Sequence, residues 1–219
     1  MKLRRNDKCP CSSGKKYKKC CYLDEEQNAE IVRIAPRVAS LEELTELLSQ
    51  PMQIYRLKVV LKRMGFVDIE EEVSRTFEIG ERYTLYDLHL EIQCAFAWDN
   101  DHMFSFYFGG KLFDRQNEYS GSPLGEHFAS TIGESSKAAA QTQLRDLGLK
   151  DKKTFLYLFD YGDELVHEVL VEGIRDKEEN EKGFPVVIKK VGEPPAQYED
   201  YEYGDDEKDY EYEDDEGID

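Results

Sequence analysis

Four cysteines crowd into thirteen residues near the start of the chain, in the run CPCSSGKKYKKCC. Cys9 and Cys11 form one close pair, and the adjacent Cys20 and Cys21 form a second. A segment of about twenty residues cannot bury enough apolar surface to fold by itself. A disulfide framework is a poor explanation, because bridging neighbours such as Cys20 and Cys21 demands strained geometry. Two close pairs separated by a short loop suit a tetrahedral ion, and four sulfurs suit zinc. Ser12, Ser13 and Gly14 are turn formers that let the chain reverse after the first pair. Lys15, Lys16, Lys18 and Lys19 surround the sulfurs with positive charge, which favours the thiolates that metal binding requires. The expectation is a structural Zn2+ on Cys9, Cys11, Cys20 and Cys21, supplying folding free energy on the order of 10–16 kcal/mol. The four lysines then form a partner-binding surface. Cys94 falls in a helical pattern and is expected as a small core residue.

Charge is distributed unevenly along the 219 residues. The net charge of −18 argues against the whole chain being a nucleic-acid binder. Yet residues 1–19 carry +7, residues 196–219 carry −12 and the stretch between them carries −13. The acidic end, with tyrosines at 198, 201, 203, 210 and 212, has almost nothing to bury and is expected to be disordered. Its charge suits an intramolecular contact with the basic head. The opening MKLRRNDKCP has no apolar stretch behind it, and no apolar run reaches the roughly 18 residues of a membrane span. Neither a leader nor a membrane contact is expected, and the expected location is cytoplasmic.

Between the ends, periodicity sets the elements. Residues 23–52 read as a linker holding one helix over 41–49, with Ser40 as N-cap, Glu43 completing a capping box and Leu41, Leu44, Leu47 and Leu48 on one stripe. That stripe is expected to pack on the main domain, residues 53–195. There IYRLKVVLKR and EEVSRTFEIG alternate as strands. Thr84 caps a helix whose Leu85, Leu88, Ile92, Ala95 and Phe96 share one side. HMFSFYFGG is a further strand, followed by KLFDR, and residues 116–140 read as a long loop. TFLYLFDY and ELVHEVLVEGI form a hairpin about Gly162-Asp163, and FPVVIKKV is the last strand before Pro194-Pro195. The order is β-β-α-β-β, then a hairpin, then a strand. It predicts an α+β fold with a mixed, mainly antiparallel sheet on one main helix.

Two resemblances attach to these segments. CPCSSGKKYKKCC resembles the SEC-C motif, a zinc-binding module whose usual form is CPCGSGKKYKxCC followed by Gly. Ser12 and Tyr22 stand where that pattern has glycines. The resemblance implies zinc binding and docking on partners, protein or ribosome and RNA. The segments IYRLKVVL, TLYDLHLEIQCAFAWDNDHMFSF and FLYLFDYGDELVHEVLVEGI resemble the plasmid pRiA4b ORF-3-like family, met also as a passenger protein of insertion elements. Here Leu165 and Tyr161 replace the usual Trp and Phe, and PPAQYEDY departs from a PPEDxGG ending. That resemblance implies a domain without an assigned activity.

Candidate chemistry in the domain rests on histidine and aspartate. The histidines are His89, His102, His127 and His167. A turn at Gly162 would bring Asp160, Asp163 and His167 near one end of the hairpin, and His102 follows a further acidic cluster. Such a set would serve a divalent metal or acid–base catalysis. Against it, Asp160 and Asp163 flank a glycine turn, where Asp side chains commonly cap backbone N–H groups. No Gly-rich phosphate loop and no Ser-His-Asp nucleophile elbow is present. The leading expectation is therefore a zinc-binding adaptor. A metal-dependent enzyme or binding domain using the Asp/His set, and a nucleic-acid accessory protein of a mobile element, are the alternatives.

Overall fold

The computed structural model describes residues 1–123, 137–178, 181 and 183–198. Two short 3-10 turns, Tyr17–Lys19 and Cys21–Leu23, carry the second cysteine pair into helix α1, Glu25–Ile34. Asp24 caps α1 by accepting the Gln27 N–H at 3.0 Å. Helix α2, Leu41–Ser49, starts at Ser40, whose hydroxyl accepts the Glu43 N–H at 3.1 Å. Its apolar stripe turns toward the cysteines. Leu44 is fully buried with Cys9, Tyr17, Cys21, Ile31 and Ile34, and Leu41, Leu47 and Leu48 pack around them. Residues 23–52, expected as a linker with a helix on the main domain, thus share one core with the cysteine segment.

The main sheet follows from the alternation. Strand β1 is Gln53–Met64 and β2 is Val67–Gly80, joined by a tight turn at Gly65-Phe66. Leu57, Val59 and Leu61 of β1 face inward. Helix α3, Leu85–Phe96, is held at its start by a reciprocal Thr84–Asp87 capping box. The expected residues Leu85, Leu88, Ile92, Ala95 and Phe96 lie in the core with Phe77, Phe104 and Val169. Cys94 is a correction, because it is exposed on the outer face of α3.

Strands β3, Phe104–Tyr107, and β4, Glu118–Gly121, come next. After β5, Lys137–Ala138, come β6, Thr154–Phe159, β7, Leu165–Asp176, and β8, Val186–Val191. The eight strands run β5-β4-β3-β6-β7-β1-β2-β8. All neighbours are antiparallel except β4 and β5, which are parallel. The α+β class and the mixed, mainly antiparallel sheet are as expected. KLFDR is a turn rather than an element, and β4 lies inside the stretch read as a loop. Gly121 explains why β4 was hard to see: a Cβ there would meet the Phe104 ring at 2.3 Å, so pairing with β3 needs a glycine where strands usually avoid one. Residues 124–136, including His127, and 199–219, most of the expected disordered tail, lie outside the described residues.

Arginines join the N-terminal unit to the sheet. The buried Arg82 donates to Glu30 Oε1 of α1 at 2.6 Å and to the Leu47 and Gln50 carbonyls at the end of α2, at 2.6 and 2.9 Å. Arg37 donates to the Ala140 and Gln141 carbonyls, both at 2.7 Å. Arg33 lies 3.5 Å from Asp87 and stacks over Tyr83.

Candidate metal centre and a second polar cluster

The two cysteine pairs converge because the loop between them folds back. The Cys9 N–H donates to the Lys15 carbonyl at 2.8 Å, and the Cys20 N–H to the Tyr17 carbonyl at 3.0 Å. All four sulfurs then lie within 4.8 Å of one another. Cys11 is 3.4 Å from both Cys9 and Cys20, and Cys20 is 4.0 Å from Cys21. A tetrahedral zinc with bonds of about 2.3 Å spaces its sulfurs by about 3.8 Å, so the cage is the right size. These four cysteines can hold a metal ion. Among the described residues theirs is the one group of three or more His, Cys, Asp and Glu side chains whose donor atoms converge.

The cage is asymmetric. Cys9 and Cys21 are buried, and burial pushes both thiols up; Cys11 is exposed. Burial acts upward on Cys11 too, but the Ser13 hydroxyl and N–H and the neighbouring sulfurs draw its pKa down to about 6. Ser13 Oγ also sits 3.2 Å from Cys20 Sγ, and Gln27 Oε1 is 2.8 Å from Cys21 Sγ. Gln27 thus comes from α1 to support the cage.

Ser12 occupies the left-handed region at φ 61°, where its usual glycine counterpart carries no Cβ penalty. Exchange of Ser12 for Gly should stabilise the metal-loaded N-terminal unit by about 0.5–1 kcal/mol, read as higher denaturant needed to release the metal. A loss of stability would show that the side chain, not the backbone, decides this position.

Around the sulfurs, Lys15, Lys16 and Lys19 are exposed and Lys18 is half-buried. Tyr22 adds an exposed aromatic ring with the Arg5 guanidinium 4.8 Å from its centre.

The aspartate and histidine candidates of the sheet separate. His167 lies on β7 facing inward, fully buried, with Phe96, Trp98 and Tyr157 ring centres 5.2–5.4 Å away. Among the described residues neither ring nitrogen makes a well-formed hydrogen bond, although the Leu165 and Tyr157 backbones lie close enough to oppose the effect of burial, which lowers its pKa to about 3. Asp160 Oδ1 accepts the Gly162 and Asp163 N–H groups at 2.8 and 3.3 Å, a turn-capping role. Asp163 uses its carbonyl to accept the Gly65 N–H of the β1–β2 turn at 2.7 Å.

His102 does approach Asp160, with Nδ1 3.6 Å from Oδ2, and is 2.9 Å from Asp101 Oδ1. The hydrogen bond to Asp101, together with the charges of Asp160 and Asp163, raises its pKa against the effect of burial. Onto this spot comes the exit segment of the chain. The Trp98 indole N–H donates to the Pro195 carbonyl at 3.0 Å, and the Tyr198 hydroxyl donates to Asp101 Oδ2 at 2.7 Å.

Two further polar groups lie in the domain, and the sequence named the partners of neither. His89, fully buried on α3, stacks on Phe104 with ring centres 3.7 Å apart. Its Nε2 bonds Asn100 Oδ1 at 2.7 Å and its Nδ1 bonds the Tyr157 hydroxyl at 2.7 Å. Gln93 Nε2 donates to the same hydroxyl, so the Tyr157 proton points at Nδ1 and His89 is neutral. On the other face, Glu118 Oε1 gathers the Ser105, Tyr107 and Tyr161 hydroxyls at 2.8, 3.1 and 3.3 Å. The only signal was Tyr161 itself, a hydroxyl where the quoted pattern has phenylalanine.

The sequence profile of plasmid pRiA4b ORF-3-like proteins matches residues 53–213. The chain belongs to that family. A SEC-C motif matches residues 5–23, ahead of the family domain. Over this short segment the chain is similar to the protein translocase subunit SecA of Acetivibrio thermocellus, 71% identical over 24 residues, 11% of this chain and 3% of that protein. The SecA of Elusimicrobium minutum is 74% identical over 23 residues, 10% of this chain and 3% of that one. The chain therefore spans about 3% of the length of the curated relatives it matches. A crystal structure of a protein of unknown function from Methanosarcina mazei Go1 superposes with a TM-score of 0.51 at 22% identity. It covers 64% of this chain and 71% of that one, and supports the fold. No helix of the described residues is long and apolar enough to cross a membrane.

Proposed function

We propose that this member of the pRiA4b ORF-3-like family is a zinc-binding adaptor, with a structural zinc ion on Cys9, Cys11, Cys20 and Cys21. Lys15, Lys16, Lys18 and Lys19 beside it would dock an acidic or phosphate-bearing partner, protein or RNA. The single observation that carries the reading is the four-sulfur cage with a basic, partly aromatic surface around it. Soft sulfur donors at tetrahedral spacing favour zinc over oxygen-seeking ions. A closed set of four protein ligands leaves no position for substrate, so the metal's role here is to fold the segment that presents the lysines. Tyr22 with Arg5 adds a face on which a base can stack. The acidic residues 199–219 carry the opposite charge and are long enough to compete for the same lysines.

Protein purified without chelator should contain one zinc per chain; an absence of metal on elemental analysis would end the reading. Single-stranded RNA serves as the phosphate-bearing probe. Exchange of Lys15, Lys16, Lys18 and Lys19 for Gln should weaken binding at low salt by at least about tenfold and flatten its salt dependence. A chain ended after Tyr198, which keeps the docked exit segment, should bind more tightly than the full chain, and the gain should fade as salt rises. Equal affinity of the lysine variant and its parent for RNA and for acidic peptides would reject the lysine surface.

A further inference from the structure

The exit segment Pro195–Tyr198 sits on residues 98–102 as a ligand sits in a site. Gln197 brackets Asp99: its Oε1 accepts the Asp99 N–H at 2.5 Å, and its Nε2 donates to the Asp99 carbonyl at 3.2 Å. The same Nε2 reaches Asp101 Oδ1 at 3.0 Å and the Tyr198 hydroxyl at 2.7 Å. That hydroxyl donates to Asp101 Oδ2 at 2.7 Å and lies 2.9 Å from His102 Nδ1. Upstream, the Trp98 indole N–H holds the Pro195 carbonyl. Beneath lies the Asp160 carboxylate, 7% exposed and 3.6 Å from His102.

The contacts are polar and side-chain specific, and Tyr198 itself remains 38% exposed. The segment therefore adds little to the apolar core, so packing does not account for its position. A primary amide that brackets a backbone unit, followed by a hydroxyl that bridges a carboxylate and an imidazole, is the chemistry of peptide recognition. We propose that residues 98–102, with Asp160 beneath, form a binding site for an extended peptide bearing a Gln-Tyr pair, filled in cis by the chain's own residues 195–198. The cis ligand wins by effective concentration rather than by contact area, so each polar contact matters. The site also fixes the point from which the acidic residues beyond Tyr198 depart. A phosphate on Tyr198 would stand against Asp101 and Asp160 and would be rejected.

The chain has one tryptophan, Trp98, and its indole N–H touches the segment, so its emission reports occupancy. In a chain ended after Glu193, a synthetic peptide of residues 194–203 should shift Trp98 emission saturably. Peptides with Gln197→Ala or Tyr198→Phe should bind about tenfold more weakly or worse, and a Tyr198-phosphorylated peptide should not bind. The full chain, its site filled, should not respond at the same concentrations. Should the shortened chain fail to fold, the full-length Gln197→Ala/Tyr198→Phe variant opens the same site and should respond to the unmodified peptide. Overturning results are a full chain that responds like the opened proteins, a Tyr198→Phe peptide that binds as tightly as the parent, or no saturable shift in either opened protein.

Discussion

Exchange of Cys20 for Ser is expected to release the metal, unfold the first fifty residues together and leave the sheet standing. The reason is the shared core: Cys9, Tyr17 and Cys21 pack directly on Ile31, Ile34 and Leu44. This cluster of eight buried residues is too small to hold two short helices against chain entropy. If the cage holds zinc as proposed, metal binding on the order of 10–16 kcal/mol would dominate its stability. Cys20 is half-exposed and serine is close to its shape, so the exchange removes a ligand without carving the core. The sheet keeps its own cluster from Tyr55 to Val171 and should melt nearly unchanged. Hydrogen exchange read by mass spectrometry checks this. Amides of α1 and α2 should lose protection with those of residues 17–23, while β1, β6 and β7 stay protected. If α2 keeps its protection in the metal-free variant, its stripe does not depend on the cage and the unit must be divided.

Acidification from pH 6.5 to 5 should cost the protein about 3 kcal/mol, before most carboxylates titrate. His89 and His167 are buried and neutral, with pKa values lowered by burial to about 4 and about 3. In the unfolded chain both titrate near 6.5. Below that value the unfolded state binds more protons, so stability falls with pH until the folded values are reached. Two such groups give a slope that is about half its limit at pH 6.5 and approaches that limit, about 2.7 kcal/mol per pH unit, toward pH 5. His102 acts in the opposite direction, since its pKa is raised, but it is half-exposed and its share is small. Exchange of His167 for Leu should halve the slope. It should also stabilise the protein at neutral pH by about 1 kcal/mol, because a buried imidazole with only marginal backbone contacts leaves the interior. Urea melts of both proteins at pH 6.5, 5.75 and 5 measure it, and an unchanged slope in the variant would exclude His167 as a source.

The cysteine cage was readable because ligand chemistry leaves few alternatives for two close pairs and a turn. The long strands and α3 were readable because one buried face imposes a period, as with Leu57, Val59 and Leu61 or Leu85, Leu88 and Ile92. What failed needed distant partners. The Leu41–Leu48 stripe announces a helix with one apolar face, but nothing local says that Tyr17 and Cys21 cover it. Cys94 shares its helix with seven buried apolar and polar neighbours, and only the rotation of α3 places it outside. Asp160 and His102 lie far apart in the chain and meet because β3 pairs with β6, with Phe104 opposite Phe159. His167 has the same strand period as its aliphatic neighbours and so takes a core position, where no described side chain offers it a hydrogen bond. The docking of Gln197 and Tyr198 on residues 98–102 could not be read from a segment whose composition pointed to solvent or to the basic head.

Arg82 gives the N-terminal unit a fixed bearing. By joining Glu30, Leu47 and Gln50 at one buried guanidinium, it replaces what would otherwise be a swivel between the cysteine cage and the sheet. A partner seated on the lysines, as proposed, would arrive at a set angle to the β-sheet rather than on a tether. These contacts restrict rotation between the two halves, so less freedom would be lost on association and the entropic penalty of binding would fall. Anything bridging both halves at once would meet a rigid template whose spacing is measured by the length of α1 and α2.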